Sequence, residues 1–208
     1  MNLKEKLNQI QKTRSCTLLS VGPMSTNCVD ASIELANENG IPIMLIASRR
    51  QIDSEEFGGG YVNNWTTEEF ANYVEQKNTD GNLILARDHG GPWQNEFEKS
   101  ENMKLNDAME SAKRSYLRDI EAGFRILHID PSIDIHQELT TDNILDRVFE
   151  LYDYCWNEAR KQNKEVIFEI GTEEQSGGTN THEEFEYALN EIQKFCIKNK
   201  IETPTFVV

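Results

Sequence analysis

The sequence predicts an α/β fold in which strand–helix units repeat around a parallel sheet. Three observations carry this. Short apolar runs alternate with longer segments of helical periodicity along the 208 residues. The runs are nearly continuous in apolar residues, as in parallel strands that helices cover, without the polar alternation of a half-solvated sheet. The segments between them carry helix caps and stop signals at the right offsets.

The first strand is expected at residues 16–21 and a helix at 27–39, then a strand at 41–47 and a helix at 67–77. Further pairs follow at 82–87 with 103–121, 124–129 with 142–163, and 165–170 with 182–199, and residues 205–208 begin a sixth strand. In the third of these helices Leu105, Met109, Ala112, Tyr116 and Ile120 share a face. Ile144, Val148, Tyr152, Cys155 and Ala159 do so in the fourth, and Phe185, Leu189, Ile192 and Phe195 in the fifth. Thr66 with Glu69, and Thr181 with Glu184, read as capping boxes. Gly40 and Gly123 fall just after helices, where a left-handed residue is wanted. Leu3, Leu7 and Ile10 also lie at helical spacing in a polar N-terminal segment.

Such units fit either an open doubly wound sheet or a closed eight-stranded barrel, and a full barrel typically takes about 250 residues. One domain over residues 1–208 is expected, with no Pro- or Ser-rich linker. Lys plus Arg total 21 and Asp plus Glu total 36, a formal net charge of −15, which disfavours nucleic acid and anionic membranes as partners. The four cysteines form no CxxC pair and read as reduced thiols of a cytoplasmic protein. No signal peptide or membrane span is read, and no GxGxxG or GxxxxGK[ST] loop points to a nucleotide.

In both architectures chemistry gathers at the carboxyl ends of the strands. Those ends present Ser20 and Gly22, then Ser48, Arg49 and Gln51, then Asp88 and His89, then His128 and Asp130, then Thr172, Glu173 and Glu174. Asp88-His89 is the most informative pair: an acid beside an imidazole at a strand tip, with Gly90-Gly91-Pro92-Trp93 turning at once. Arg49-Arg50 is the candidate local basic pocket, although it also suits pairing with surplus carboxylates. His128 lies two residues before Asp130 and points to the same side, and reads as a hydrogen-bonded core histidine. Two glycine loops, Phe57-Gly58-Gly59-Gly60-Tyr61 and the one holding Gly177-Gly178, suit wrapping a ligand or plain flexibility.

Four segments resemble the non-catalytic subunit family of D-tagatose-1,6-bisphosphate aldolase, formerly described as tagatose 6-phosphate kinases. They are Ile46-Ala47-Ser48-Arg49-Arg50-Gln51 leading into the first glycine loop, residues 84–92 with Asp88-His89, Ala122-Gly123-Phe124 running into His128-Ile129-Asp130-Pro131-Ser132, and Ile170-Gly171-Thr172-Glu173. The closing Pro204-Thr205-Phe206-Val207-Val208 also fits. The resemblance implies a (β/α)8 barrel, of which about six strands lie in this chain, related to class II zinc-dependent sugar-bisphosphate aldolases. It implies Asp88 as general acid/base and His89 as a Zn2+ ligand. Ser20, Ser48, Arg49, Gln51, Asp130 and Glu173 are the expected substrate-binding residues on a ketose phosphate. Two departures temper it. The aldolases need further histidine ligands from later strands, and one imidazole cannot hold a catalytic zinc. Arg87 and Gly90 stand where a smaller and a more apolar residue are expected. The resemblance therefore implies an accessory subunit that stabilises a separate catalytic aldolase in an oligomer, or else a stand-alone metal-dependent aldolase or 4-epimerase.

Overall fold

The computed structural model describes residues 3–13, 17–172 and 181–208. Six strands form one sheet: β1 Leu19–Val21, β2 Ile43–Ser48, β3 Leu83–Gly90, β4 Ile126–Ile129, β5 Ile167–Ile170 and β6 Phe206–Val207. All neighbours pair in parallel and their spatial order is their chain order. This order settles the choice between the two architectures. A doubly wound sheet reverses its strand order at a switch point. Here the order never reverses, so right-handed crossovers put every connecting helix on one face. The other face curls into the lumen of a half-barrel.

The outer layer is α2 Thr26–Asn39, α3 Thr67–Lys77, α5 Leu105–Ala122, α6 Thr141–Lys161 and α7 His182–Asn199. Strand alternation then sorts the side chains. Ile43, Leu45, Leu85, Leu127 and Phe168 point outward into the main core with Phe70, Met109, Tyr116 and Tyr152. Ile84, Ala86, Ile126 and Ile167 point inward and pack with Leu3 and Leu7 of a helix, α1 Leu3–Thr13. The predicted capping boxes form at Thr66/Glu69 and Thr181/Glu184, and Thr140/Asn143 adds a third. Gly40 and Gly123 adopt the expected left-handed conformation, at φ 61° and 91°.

Boundaries shift in places. The first strand is confined to Leu19–Val21, with Cys16 outside the described residues. A short helix α4, Glu96–Ser100, and a 3-10 turn, Glu55–Phe57, were not foreseen. The third strand runs on through Asp88 and His89 to Gly90.

The two departures at the third strand have structural causes. Arg87 faces outward, fully buried, and forms a two-pronged ion pair with Asp119 of α5 at 2.7 and 2.5 Å. Its remaining donors reach the carbonyls of Ala47 and Ile52. Gly90 lies flat against Tyr116, and a Cβ there would stand 2.3 Å from the Tyr116 hydroxyl oxygen. That hydroxyl donates to the His128 carbonyl at 2.8 Å, and Tyr116 is buried in the core. Gly90→Ala is expected to lower stability by about 1–3 kcal/mol through overpacking, read as a lower melting temperature.

Candidate functional site

Adjacent residues of a regular strand face opposite sides of the sheet, so Asp88 and His89 should be split between core and lumen. They are not. The register of β3 on β4 shifts between Arg87 and Gly90. His89 takes a φ of 44°, uncommon for a non-glycine residue. This bulge turns both side chains into the lumen, the re-aiming that bulges provide beside functional sites. Together they line a cavity of about 230 Å³ at the carboxyl ends of the strands. Ser20, Met44, Ile46, His128, Glu169 and Phe206 contribute to its wall.

Asp88, His89 and His128 present donor atoms that all lie within 4.8 Å of one another. Asp88 Oδ1 stands 3.8 Å from His89 Nε2 and 3.7 Å from His128 Nδ1. The proton positions follow from the hydrogen bonds. His89 Nδ1 lies 2.6 Å from Asp130 Oδ2, and an ionised carboxylate can only accept, which argues for a proton on Nδ1 and a lone pair on Nε2. The backbone N–H of His89 donates to His128 Nδ1 at 3.3 Å, so that nitrogen also carries a lone pair. His128 Nε2 is buried without a hydrogen-bond partner among the described residues and faces Gly171, where a Cβ would come within 2.4 Å of it. A carboxylate and the His89 Nε2 lone pair converge on one wall with His128 Nδ1, whose lone pair is shared with the His89 N–H; these are the donor types that a divalent transition-metal ion takes.

The carboxyls are tuned toward ionisation. Burial works to raise Asp88, but the nearby His128 and His89 rings outweigh it and hold the group below the usual carboxylate value. Asp130 is held low in the same way against stronger burial, first by the His89 hydrogen bond and also by Ser132. Both groups therefore bind protons less readily folded than unfolded. Their stabilising contribution is present above the ordinary aspartate value and is lost as pH falls through the depressed folded values. The urea midpoint is expected to hold through the neutral range and to fall below about pH 4.

The structure brings together Ser20, Asp88 and His89 of the expected site and sets others apart. Asp130 stands behind His89, nearly fully buried. Ser48 and Gln51 serve each other at the end of β2, the Ser48 N–H and hydroxyl meeting Gln51 Oε1 at 2.9 and 3.1 Å. Arg49 is buried away from the cavity, bonded to Asp53 and Glu98. Glu173 and Gly177-Gly178 lie outside the described residues. Two lumen residues were missed. His128 reads as a core histidine from sequence, and Glu169, one strand over, sits inside its strand and not in the loop after it. The signal was available in the alternation, since Ile126 and His128, and Ile167 and Glu169, each point inward in register.

A model of the family described as D-tagatose-1,6-bisphosphate aldolase subunit GatZ/KbaZ-like matches residues 3–203. Among solved structures, a probable tagatose 6 phosphate kinase from Sinorhizobium meliloti 1021 superposes with a TM-score of 0.70 at 19% identity, over 89% of this chain and 46% of that one. Fructose-bisphosphate aldolase from Campylobacter jejuni gives 0.53 at 15% identity, over 94% and 56%. A D-psicose 3-epimerase, crystallised in the presence of D-fructose, gives 0.53 at 11% identity, over 92% and 62%. The chain spans about half the length of these relatives. At these identities the likeness is one of fold, the β/α barrel. No helix among the described residues is long and apolar enough to cross a membrane.

Proposed function

The chain belongs to the D-tagatose-1,6-bisphosphate aldolase subunit GatZ/KbaZ-like family, and from that premise we propose that it is the accessory, stabilising subunit of a class II aldolase, with a lumen cavity that receives the hydroxyl-bearing carbons of a ketose phosphate. The observation that carries this reading is the character of the cavity wall. Asp88 and Glu169 make it acidic, while Arg49 and Arg87 are buried against Asp53, Glu98 and Asp119. Such a wall repels a bare phosphate and suits sugar hydroxyls, which donate well to carboxylates. The phosphate groups of a bound ketose therefore point away from it.

His89 and His128 are the imidazoles that would hold a divalent cation, with Asp88 close enough to share it. Bound there, such an ion supplies Lewis-acid polarisation of a ketose carbonyl. The test of the subunit role is co-expression with a catalytic class II aldolase. Co-purification, with higher activity or longer lifetime of the catalytic subunit, is expected. A catalytic subunit that neither binds this chain nor gains from it overturns the reading.

One observation favours a second reading, a stand-alone metal-dependent aldolase or 4-epimerase: the donor atoms of Asp88, His89 and His128 already converge. In that case the ionised Asp88 accepts the proton of the hydroxyl at the scissile bond. Stoichiometric zinc in the purified chain, with turnover of a ketose bisphosphate by that chain alone, decides for this reading.

A further inference from the structure

Asp130 was expected to touch substrate, yet it is 1% exposed and does not line the cavity. Its carboxylate is instead engaged on every side. Oδ2 lies 2.6 Å from Nδ1 of His89 and accepts the side-chain amide of Gln94 at 3.2 Å. Oδ1 accepts the Ser132 hydroxyl at 2.5 Å and the Ser132 N–H at 3.2 Å. Gln94, itself 3% exposed, rides on the turn after β3. That turn is pinned from below by Arg49, which donates to the Gly91 carbonyl at 3.0 Å and to Glu98 at 2.6 Å. Glu98 accepts the N–H of Trp93 at 2.5 Å, and Trp93 holds a φ of 55°.

Nothing in this chain of contacts reaches the cavity except the imidazole at its end. His89 needs such a support. Its backbone is in a bulge at positive φ, and a free imidazole exchanges its proton between two nitrogens. An ionised carboxylate on Nδ1 selects one tautomer and fixes the ring plane, as outer-shell carboxylates do for ligating histidines.

We infer that Asp130 is a positioning residue, held by Gln94 and Ser132, that locks His89 in the Nδ1–H tautomer with its Nε2 lone pair aimed into the cavity. This rests on the reading of the cavity as the functional site, but the tautomer can be read without it. Long-range 1H–15N correlation of the histidine rings in the whole chain, above the ordinary histidine range of about 6.5, gives the protonated nitrogen directly. The wild type is expected to show His89 protonated at Nδ1. In Asp130→Asn the amide N–H2 can donate to Nδ1, so His89 is expected to shift its proton to Nε2. Gln94→Leu, more remote and apolar, is expected to give a mixture of tautomers. Both variants should bind Co2+ about 10–100-fold more weakly than wild type. A merely structural role would lower the melting temperature and leave the ring spectrum alone. A wild-type His89 protonated at Nε2, or variants that keep the wild-type ring spectrum, overturns the inference. Correct tautomers with no Co2+ binding in the wild type would sink the cation reading and leave the positioning role standing.

Discussion

Arg49→Met is expected to destabilise the protein by about 3–5 kcal/mol, the usual cost of stripping the partner from buried charges. The guanidinium is 1% exposed and bonds Asp53 through Nε at 3.0 Å and Glu98 through Nη1 at 2.6 Å, both acids being fully buried. Nη2 reaches the Ser111 hydroxyl at 3.4 Å, and the guanidinium carbon lies 4.9 Å from the centre of the Phe57 ring. Methionine keeps an unbranched apolar stem and removes the guanidinium with its charge and donors, so the loss combines the electrostatics with the space the head group vacates. Asp53 retains the Ser115 hydroxyl and Asn95 amide but loses its ion-pair partner. Urea unfolding should show a lower midpoint at unchanged slope. Replacing Asp53 and Glu98 by apolar residues in the same background should recover part of the loss, because no buried charge is then left unpaired. A midpoint within the scatter of wild type would contradict the network's role.

Asp88→Asn has its largest effect on function and little on stability. The carboxylate is about a third exposed and makes no ion pair with Arg or Lys among the described residues, so the melting temperature should stay near that of wild type. Asparagine keeps the shape and loses the charge. A hydrogen bond to a charged group is worth about 1.5–3 kcal/mol, so binding of a ketose phosphate or a divalent cation, measured by calorimetry, should weaken about 10–100-fold. If the chain turns over substrate by itself, the same variant should lose about 10²–10⁴ in kcat, the contribution of a positioned base. Unchanged binding and turnover would remove Asp88 from the site.

Much of the fold is written locally. Helical periodicity places the long helices, and Thr66, Thr181, Gly40 and Gly123 mark their ends, because caps depend on residues only a few positions apart. The barrel curvature is not local. It depends on which face each crossover takes, and the same strand–helix alternation serves a doubly wound sheet equally well. The site divides in the same way. Asp88 and His89 could be singled out as chemistry at a strand tip, but the period of two would send them to opposite faces. Only the bulge before Gly90 unites them, and it answers to Tyr116 on another element. Arg49, expected either to bind substrate or to pair with surplus carboxylates, is found in the second role. Of its two buried partners Asp53 is only four positions on, but Glu98 is 49 positions away in sequence, beyond any local pattern. His128 was undervalued because an inward histidine is a common core residue; what distinguishes it is the company of Asp88 and His89 across the β3–β4 pair.

The most direct test is anomalous diffraction from crystals of the protein loaded with Co2+. A single strong peak is expected among Asp88 Oδ1, His89 Nε2 and His128 Nδ1, lost in His89→Ala. A peak elsewhere, or no ordered metal at saturating Co2+, would contradict the view that β3 and β4 build one site in the lumen.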